Sequence, residues 1–460
     1  NTKQPENRMT RITCVSPVDG SIYAERPVDS REELDQMLVD AQQARKAWAK
    51  EPLSIRQRIV AGAIDALQGM NEEIVTELAW QMGRPVRYGG EIGGVRERAE
   101  YMIGVADEAL AQEVIEDSAE FRRVITREPM GIVLVVAPWN YPYLTAINAV
   151  VPALVAGNAV FLKHASQTLL AGERFQQAFE QAGLPKGLFH NVRLSHDLTA
   201  DLISARCFDF VNFTGSVAGG RAMENSAAGT FTGLGLELGG KDPGYVRQDA
   251  DLPVAVETLI DGAMFNSGQC CCGIERIYVH DTLFDEFCER AAAIVSEYRL
   301  GNPLESETTL GPMANDRVAQ LVRSHIDDAI ARGARGIVDP ARFPLDAPGS
   351  AYLAPQILVD VDHSMRVMRE ESFGPVVGIM RVSGDEEAIR LMNDSDFGLT
   401  ASLWTRDRSA AESVGREIQT GTVFMNRCDY LDPALCWTGC KDTGRGISLS
   451  RLGYNSLTRV

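Results

Sequence analysis

The sequence lacks the features of several protein classes. It contains no run of about 18 apolar residues, the length that spans a bilayer, so we expect no transmembrane segment and no membrane partner. Its 45 basic and 63 acidic residues give a formal charge of −18, so a nucleic-acid partner is not expected. The first residues lack the short apolar stretch that signal peptides contain, so no signal peptide is predicted.

A disulfide framework is also missing. The nine cysteines are an odd number and stand mostly alone along the chain, whereas secreted disulfide-rich domains have paired cysteines at regular spacings. We therefore predict a reducing, cytoplasmic location. No C-x2-C pair with histidine partners occurs, so no metal site is predicted.

What is present is an ordinary globular composition, with 45% hydrophobic and 23% charged residues. A chain of 460 residues is longer than a single hydrophobic core normally accommodates, so we expect two or three domains. Apolar residues from Ser30 onward follow helical spacing, and helical patterning continues to about Ala111.

Strands and helices then alternate. The run GIVLVVAP (131–138) is apolar throughout, which suits a strand buried on both faces. A second alternation begins after LELGGKDP, with helix 252–264 and strand IERIYVH. The pattern predicts an α/β protein with two doubly wound domains, which bind ligands at the carboxyl ends of their strands. Residues 121–129 and the last fourteen or so fit neither half and are interpreted as strands for subunit contacts.

Three consecutive cysteines, Cys270, Cys271 and Cys272, lie in the stretch FNSGQCCCGIER. Adjacent cysteines are expected to splay apart, which disfavours a metal site, and a disulfide between neighbours is strained. Buried structural thiols remain an alternative. A helix and a turn precede the triplet, so exposed backbone N–H groups there would lower a thiol pKa and favour a reactive thiolate.

Glu237 stands 34 residues upstream, a single carboxylate among leucines and glycines in GLGLELGGKDP. An acid in such a setting is paired, protonated or functional. Burial would raise its pKa toward neutrality, which suits a general base.

These two stretches together resemble the aldehyde dehydrogenase superfamily. The likeness covers nearly the whole chain, because further blocks agree in order and spacing: PWNYP (138–142), PALVAGNAVFLK (152–163), FTGSVAGG (213–220), EESFGPV (370–376) and NDSDFGLTASLWT (393–405). The resemblance implies an NAD(P)-dependent enzyme that oxidises an aldehyde to its carboxylic acid through a cysteine thiohemiacetal and thioester.

The resemblance also assigns the catalytic roles. Cys271 would be the nucleophile, with its N–H and the Asn140 amide holding the oxyanion. Glu237 would activate water to hydrolyse the thioester. Ser448 occupies a position where relatives carry a glutamate proposed to relay protons, so more of the proton transfer would fall on Glu237.

The cofactor residues depart from the usual dinucleotide fingerprint, since no G-x-G-x-x-G follows a strand. Instead a glycine turn opens a helix and would face a pyrophosphate. Ser166 stands where strictly NAD-using relatives carry Glu, so we predict that NADP is accepted as well as NAD. The residues assigned to the cofactor are Trp139, Lys163, Ser166, Gly215, Ser216, Gly220, Leu238, Glu371 and Phe373.

The predicted substrate tunnel mixes polar and aromatic side chains, which disfavours long fatty aldehydes. It comprises Tyr141, Thr145, Asn148, Phe265, Cys270, Cys272 and the loop 426–437, which contains Arg427. Relatives specific for succinate semialdehyde often carry arginines at the Asn148 and Phe265 positions. Neither is arginine here, although Arg427 could replace them, so such a dehydrogenase remains a substrate variant.

Two other functions fit the sequence less well. CoA-acylating relatives typically lack the base, so Glu237 argues against that alternative, and the intact catalytic residues argue against a catalytically silent relative.

The partner is a small-molecule aldehyde, and a homodimer or homotetramer is expected. The predicted domains are cofactor binding (1–107 and 131–239), catalysis (240–425), oligomerisation (108–130 and 447–460) and a substrate-entrance loop (426–446).

Overall fold

The computed structural model describes residues 10–460. The first elements form a hairpin and four helices: β1 (Arg11–Val15), β2 (Ile22–Pro27), α1 (Arg31–Trp48), α2 (Leu53–Gly69), α3 (Asn71–Met82) and α4 (Ile92–Ala109). Ser30 caps α1 through a reciprocal pair of hydrogen bonds with Glu33, so the predicted helix start is confirmed. The signal-peptide expectation and the start of the first predicted domain concern residues 1–9, which lie outside the described residues.

A parallel sheet follows. The elements in this part of the chain, which include the strands of the sheet, are β3 (Glu113–Asp117), β4 (Arg122–Ile125), β5 (Glu128–Pro129), β6 (Ile132–Ala137), α5 (Pro142–Val155), β7 (Ala159–His164), α6 (Leu169–Gln181), β8 (Phe189–Asn191), α7 (His196–Ser204), β9 (Phe210–Thr214), α8 (Val217–Ala227) and β10 (Gly233–Glu237). Strands β10, β9, β6, β7 and β8 lie side by side in that order. Every residue of β6 is buried, as the apolar run predicts.

The second sheet contains seven strands. Its elements are β11 (Asp242–Val246), α9 (Leu252–Met264), β12 (Ile274–His280), α10 (Phe284–Ser296), α11 (Asp316–Ala331), β13 (Arg335–Gly336), β14 (Gln356–Val359), α12 (Arg366–Arg369), β15 (Val376–Val382), α13 (Asp385–Asn393), β16 (Phe397–Gly398), β17 (Thr400–Trp404), α14 (Arg408–Gly415) and β18 (Thr422–Met425). The order is β13-β14-β15-β12-β11-β17-β18, with only β13 antiparallel to its neighbour. Tyr278 packs into one core, and its neighbours Ile277 and Val279 pack into another, so both faces are covered.

The C-terminal segment returns to both sheets through β19 (Cys440–Lys441), β20 (Gly444–Arg445) and β21 (Thr458–Arg459). Strand β20 extends the first sheet beside β10, and β19 pairs with β16. The expectation of strand structure for the last fourteen residues is largely wrong, because residues 451–457 form a 3₁₀ helix. Only β21 is extended, and it pairs with β5 of the same chain.

The two-sheet α/β fold class is thus confirmed, while the finer domain boundaries stay predictions. Strand β10 ends at Glu237 and the chain enters β11 only five residues later. This short connection joins the two sheets, and it places Glu237 at their junction. No helix within residues 10–460 is both long and apolar enough to cross a membrane.

Candidate active site

A cavity of about 230 Å³ lies where the two sheets meet. The structure brings together Cys271, Glu237 and six of the seven predicted substrate residues along its wall: Tyr141, Thr145, Asn148, Phe265, Cys270 and Cys272. Arg427 is the exception, since its guanidinium stacks on the Tyr430 ring outside the cavity, 3.4 Å from the ring centroid. Glu97 and Arg98 also line the cavity and were not predicted, whereas Asp429 and Trp437 belong to the predicted loop 426–437.

A tight turn presents the thiols. Helix α9 ends at Met264, and Asn266 and Ser267 then adopt φ values of 53° and 55°. Gly268 also has a positive φ, and a Cβ there would lie 2.2 Å from the Gly374 carbonyl oxygen, so only glycine fits. The expected turn before the thiols is confirmed, and it brings the thiols to the cavity from the carboxyl end of a helix.

The three sulfurs converge. All lie within 4.8 Å of one another, and the flanking pair, Cys270 and Cys272, are 3.5 Å apart. Both flanking thiols donate to Asp429 Oδ1, at 3.0 and 3.2 Å. The expectation that adjacent cysteines splay apart is therefore wrong, because the chain turns at Cys271 and brings its neighbours to the same side. The absence of a metal stays a prediction.

Burial and hydrogen bonding separate the thiols. Cys270 and Cys272 are buried, whereas Cys271 is partly exposed. The pKa of Cys271 is lowered because the flanking thiols can donate to its sulfur, and the Arg98 cation adds to this. The pKa of each flanking thiol is raised, because each is held as a donor beside another sulfur and because it is buried. Cys271 is therefore the thiol most easily ionised.

Glu237 has the setting that a neutral-range base needs. Burial raises the pKa of its carboxyl to about 7, and a hydrogen bond from Ser448 opposes that rise. Thr214 Oγ1 donates to the other carboxylate oxygen at 3.4 Å. Ser448 therefore contacts Glu237 directly. The sequence alone did not reveal this contact.

Asn140 is fixed by the segment before the thiols. The side chain is buried, and its Nδ2 donates to the carbonyl of Gln269 at 3.2 Å. The Asn140 carbonyl accepts from the Arg84 guanidinium, and Arg84 also pairs with Glu91 at 2.7 Å. This network holds the amide beside the turn that carries Cys271.

Lys163 is the last residue but one of strand β7, and its side chain is a buried cation. Burial lowers the pKa of its ammonium group. No carboxylate within the described part of the chain pairs with Lys163, and the Nζ atom of Lys163 is solvent-accessible. Ser166 is exposed three residues later. An unpaired lysine beside an accessible hydroxyl fits a ribose or a phosphate.

The glycine turn follows β9. Ser216 caps α8 by accepting the Gly219 N–H at 3.2 Å, so Gly215 and Ser216 lead directly into the helix. A Cβ at Gly220 would lie 2.6 Å from Leu238 Cδ2. The glycine therefore lets α8 approach the connection between the sheets, which brings Gly220 and Leu238 together as the cofactor assignment requires.

Glu371 and Phe373 approach the same connection from the second sheet. Glu371 accepts the Gly240 N–H at 2.9 Å, and burial raises the pKa of its carboxyl to about 8. The Phe373 ring meets the Trp139 ring edge-on, with centroids 5.5 Å apart. Residues assigned to the cofactor from both sheets are thus in contact.

A buried ion pair holds this segment in place. Lys241 pairs with Glu275 at 2.5 Å, and the Glu275 carboxylate accepts the N–H groups of Ser372 and Phe373. The lysine of LELGGK and the glutamate of CGIER therefore position the loop that presents Glu371 and Phe373, which gives a structural reason for both motif residues.

The chain is similar to known aldehyde dehydrogenases over most of its length. The chain matches the aldehyde dehydrogenase family over residues 4–460. It is 31% identical to a 3-sulfolactaldehyde dehydrogenase of Pseudomonas putida, with 98% of this chain and 92% of that protein covered. It is 31% identical to a probable NADP-dependent succinate-semialdehyde dehydrogenase of Synechocystis sp., with 96% and 97% covered.

Among solved structures, the chain is similar to an NADP-dependent glyceraldehyde-3-phosphate dehydrogenase of Bacillus halodurans complexed with NADP. The TM-score is 0.90 at 32% identity, with 98% of this chain and 94% of that chain covered. The chain belongs to the aldehyde dehydrogenase family. The predicted activity, NAD(P)-dependent oxidation of an aldehyde, is thereby confirmed at the level of the family.

Proposed function

We propose that the chain is a hydrolytic aldehyde dehydrogenase in which Cys271 is the nucleophile, Glu237 the base and Asn140 an oxyanion donor. The observation that supports it most is that Glu237, at the end of β10, and Cys271, in the turn that precedes β12, line one cavity. Their pKa shifts run in the directions the chemistry needs, lowered for the thiol and raised to about 7 for the acid.

The sulfur of Cys271 adds to the aldehyde carbon, and the carbonyl electrons move to oxygen. That oxyanion is held by the Cys271 N–H and the Asn140 amide, and each such donor lowers the barrier by about 3 kcal/mol. NAD(P)⁺, which residues such as Lys163 and Glu371 would hold, would supply the hydride acceptor, and loss of the hydride from the carbon would leave a thioester on Cys271. Glu237 then takes a proton from water as the water attacks the thioester, and the thiolate leaves with release of the carboxylic acid.

NADP use is supported by the residues at the carboxyl end of β7. Within residues 10–460 the buried Lys163 cation pairs with no carboxylate, and Ser166, three residues later, is an exposed neutral side chain. We propose that both NADP and NAD are accepted. The ratio of kcat/KM for the two cofactors tests this, and strong NAD selectivity that persists in Ser166→Ala would contradict it.

We further propose a homo-oligomer in a reducing, cytoplasmic compartment. The β3–β4 hairpin pairs with no other strand of the described chain, and it exposes Val114, Ile115 and Phe121. Exposed apolar side chains on one hairpin favour burial against a second copy. A catalytic thiol among nine unpaired cysteines favours a reducing compartment. Light scattering measures the assembly, and a monodisperse monomer would contradict it.

The hydrolytic function is tested by absorbance at 340 nm after addition of an aldehyde and NADP, with and without CoA. Turnover without CoA that yields the carboxylic acid is expected. Turnover that requires CoA and yields the CoA thioester would instead support the acylating alternative.

A further inference from the structure

Arg98 is the one cationic side chain among the residues that line the cavity. It projects from α4 and is only 8% exposed. The proposed catalytic steps do not require it, although its charge helps to lower the pKa of Cys271. A charged side chain in a ligand cavity raises the question of what it binds.

The Arg98 guanidinium is only partly satisfied by the protein. Its Nη1 donates to the Leu144 carbonyl at 2.9 Å and to Asn148 Oδ1 at 3.2 Å. Its Nε and Nη2 have no acceptor among the described residues, and neither is enclosed by protein atoms. No carboxylate of residues 10–460 hydrogen-bonds to the group. Two donors of this cavity-lining side chain therefore have no acceptor among the described residues and remain solvent-accessible.

Other buried arginines of the molecule differ in this respect. Arg84, on the segment before α4, pairs with Glu91 and also donates to Asn140 and Asn266. Arg276 donates to four oxygen acceptors of the protein. Since buried charged groups are normally paired or fully hydrogen-bonded, the two free donors of Arg98 indicate an acceptor that arrives with a ligand.

The carboxylates near the cavity are already engaged. Glu97 accepts from the Tyr430 hydroxyl at 2.6 Å, and Asp429 accepts both flanking thiols. Glu237 accepts from Ser448 and Thr214. Arg427, the arginine that the sequence suggested for an anionic substrate, stacks on Tyr430 instead.

We propose that Arg98 binds the anionic group of the substrate, so that aldehydes bearing a carboxylate or a comparable oxyanion are preferred. This inference rests on the proposed function. A guanidinium presents Nε and Nη2 as a planar fork that matches two oxygens of one anion. Hydrogen bonds to such a charge in a water-poor cavity favour the anion over an uncharged aldehyde of similar size.

The first test compares kcat/KM for succinate semialdehyde with kcat/KM for butanal, its uncharged four-carbon counterpart. We expect the wild type to prefer the semialdehyde, and Arg98→Gln to lower the ratio of the two values about 10- to 100-fold. Arg98→Lys should keep part of the preference, because the charge remains. Arg427→Gln is the matched control and should leave the ratio unchanged.

A second test needs no turnover. Iodoacetate and iodoacetamide alkylate the same Cys271 sulfur but differ in charge, so their rate ratio reports on a nearby cation. We expect Arg98→Gln to slow iodoacetate more than iodoacetamide. An equal slowing of both reagents would mean that Arg98 acts only on ionisation of the thiol, and this would overturn the proposal.

The outcomes separate the two proposals. If no aldehyde is oxidised but the alkylation ratio depends on Arg98, the anion site stands and the proposed catalytic function fails. If aldehydes are oxidised but butanal or the cationic betaine aldehyde is preferred, and Arg98→Gln leaves both ratios unchanged, the function stands and the anion site is overturned.

Discussion

Glu237 and Asp429 are two half-buried acids in one cavity whose surroundings give them different chemistry. Burial raises the pKa of each to about 7. Glu237 is hydrogen-bonded by hydroxyl groups, whereas Asp429 is hydrogen-bonded by the thiols of Cys270 and Cys272. A raised pKa therefore does not by itself identify the base, and the partner groups decide which acid is available to water.

The same contrast extends to the thiols. We define the reactive pair as Cys271 with Glu237 and the restrained cluster as Asp429 with Cys270 and Cys272. Asp429 accepts hydrogen bonds from both flanking thiols, which act as donors and therefore keep their protons. The difference between the two groups can be tested by removing one member of each at a time.

The largest effect is expected for the nucleophile. Cys271→Ala should abolish aldehyde oxidation, because no thioester can form. Cys270→Ala is the matched variant from the restrained cluster, and it should retain turnover while changing substrate choice. Steady-state NADPH formation with a panel of aldehydes measures both, and equal losses in the two variants would show that the contrast between the thiols is wrong.

The next largest effect separates the two acids. Glu237→Gln should lower the rate of thioester hydrolysis about 10²- to 10⁴-fold, since general-base catalysis contributes that much. Asp429→Asn should lower it less than about tenfold, because in our account Asp429 transfers no proton. Single-turnover measurements of acid release report on this step. A larger loss for Asp429→Asn than for Glu237→Gln would exchange their roles.

A smaller effect should reveal the restraint on the flanking thiols. The Asp429 charge adds to the rise in pKa that the neighbouring thiols and burial produce at Cys270 and Cys272, so Asp429→Asn should lower the pKa of both thiols and make them easier to alkylate. We expect a several-fold rise in iodoacetamide labelling of these two cysteines at neutral pH, measured by peptide mass spectrometry. The wild type, labelled mainly at Cys271, is the reference. Unchanged labelling would remove the assigned role of Asp429.

The smallest effect concerns Ser448. Its hydrogen bond lowers the pKa of Glu237, so Ser448→Ala should raise that pKa. Because a general base works when ionised, the acidic limb of the pH–rate profile for hydrolysis should move to higher pH. A hydrogen bond worth about 0.5–1.5 kcal/mol predicts a two- to tenfold slower rate below neutral pH. A profile that moves to lower pH would contradict this assignment.

The reactive pair could be predicted from sequence, while the restrained cluster could not. Glu237 and Cys271 stand in local motifs, where glycines and turn residues surround a single reactive group. Asp429 meets Cys270 across 159 positions of sequence, and no local pattern marks such a contact. Arg98 was missed for the same reason, because its helical setting predicts only an exposed or amphipathic helix face.

The fold shows a similar division. A continuous apolar run predicted β6, because a strand covered on both faces needs apolar side chains throughout. The final segment was misread, because its 3₁₀ helix depends on the Ser450 cap and on the distant contact of the Tyr454 hydroxyl with the Met102 carbonyl. Local pattern predicts buried strands well and tertiary turns poorly.

The central claim is that one thiol forms the acyl-enzyme and Glu237 releases it. Mass spectrometry of Glu237→Gln, quenched after mixing with NADP and an aldehyde, tests this directly. We predict one acyl group per active chain, carried on Cys271, and the same group should fail to accumulate in Cys271→Ala. An acyl group found on Cys270 or Cys272, or none on any cysteine while NADPH still forms, would contradict the account.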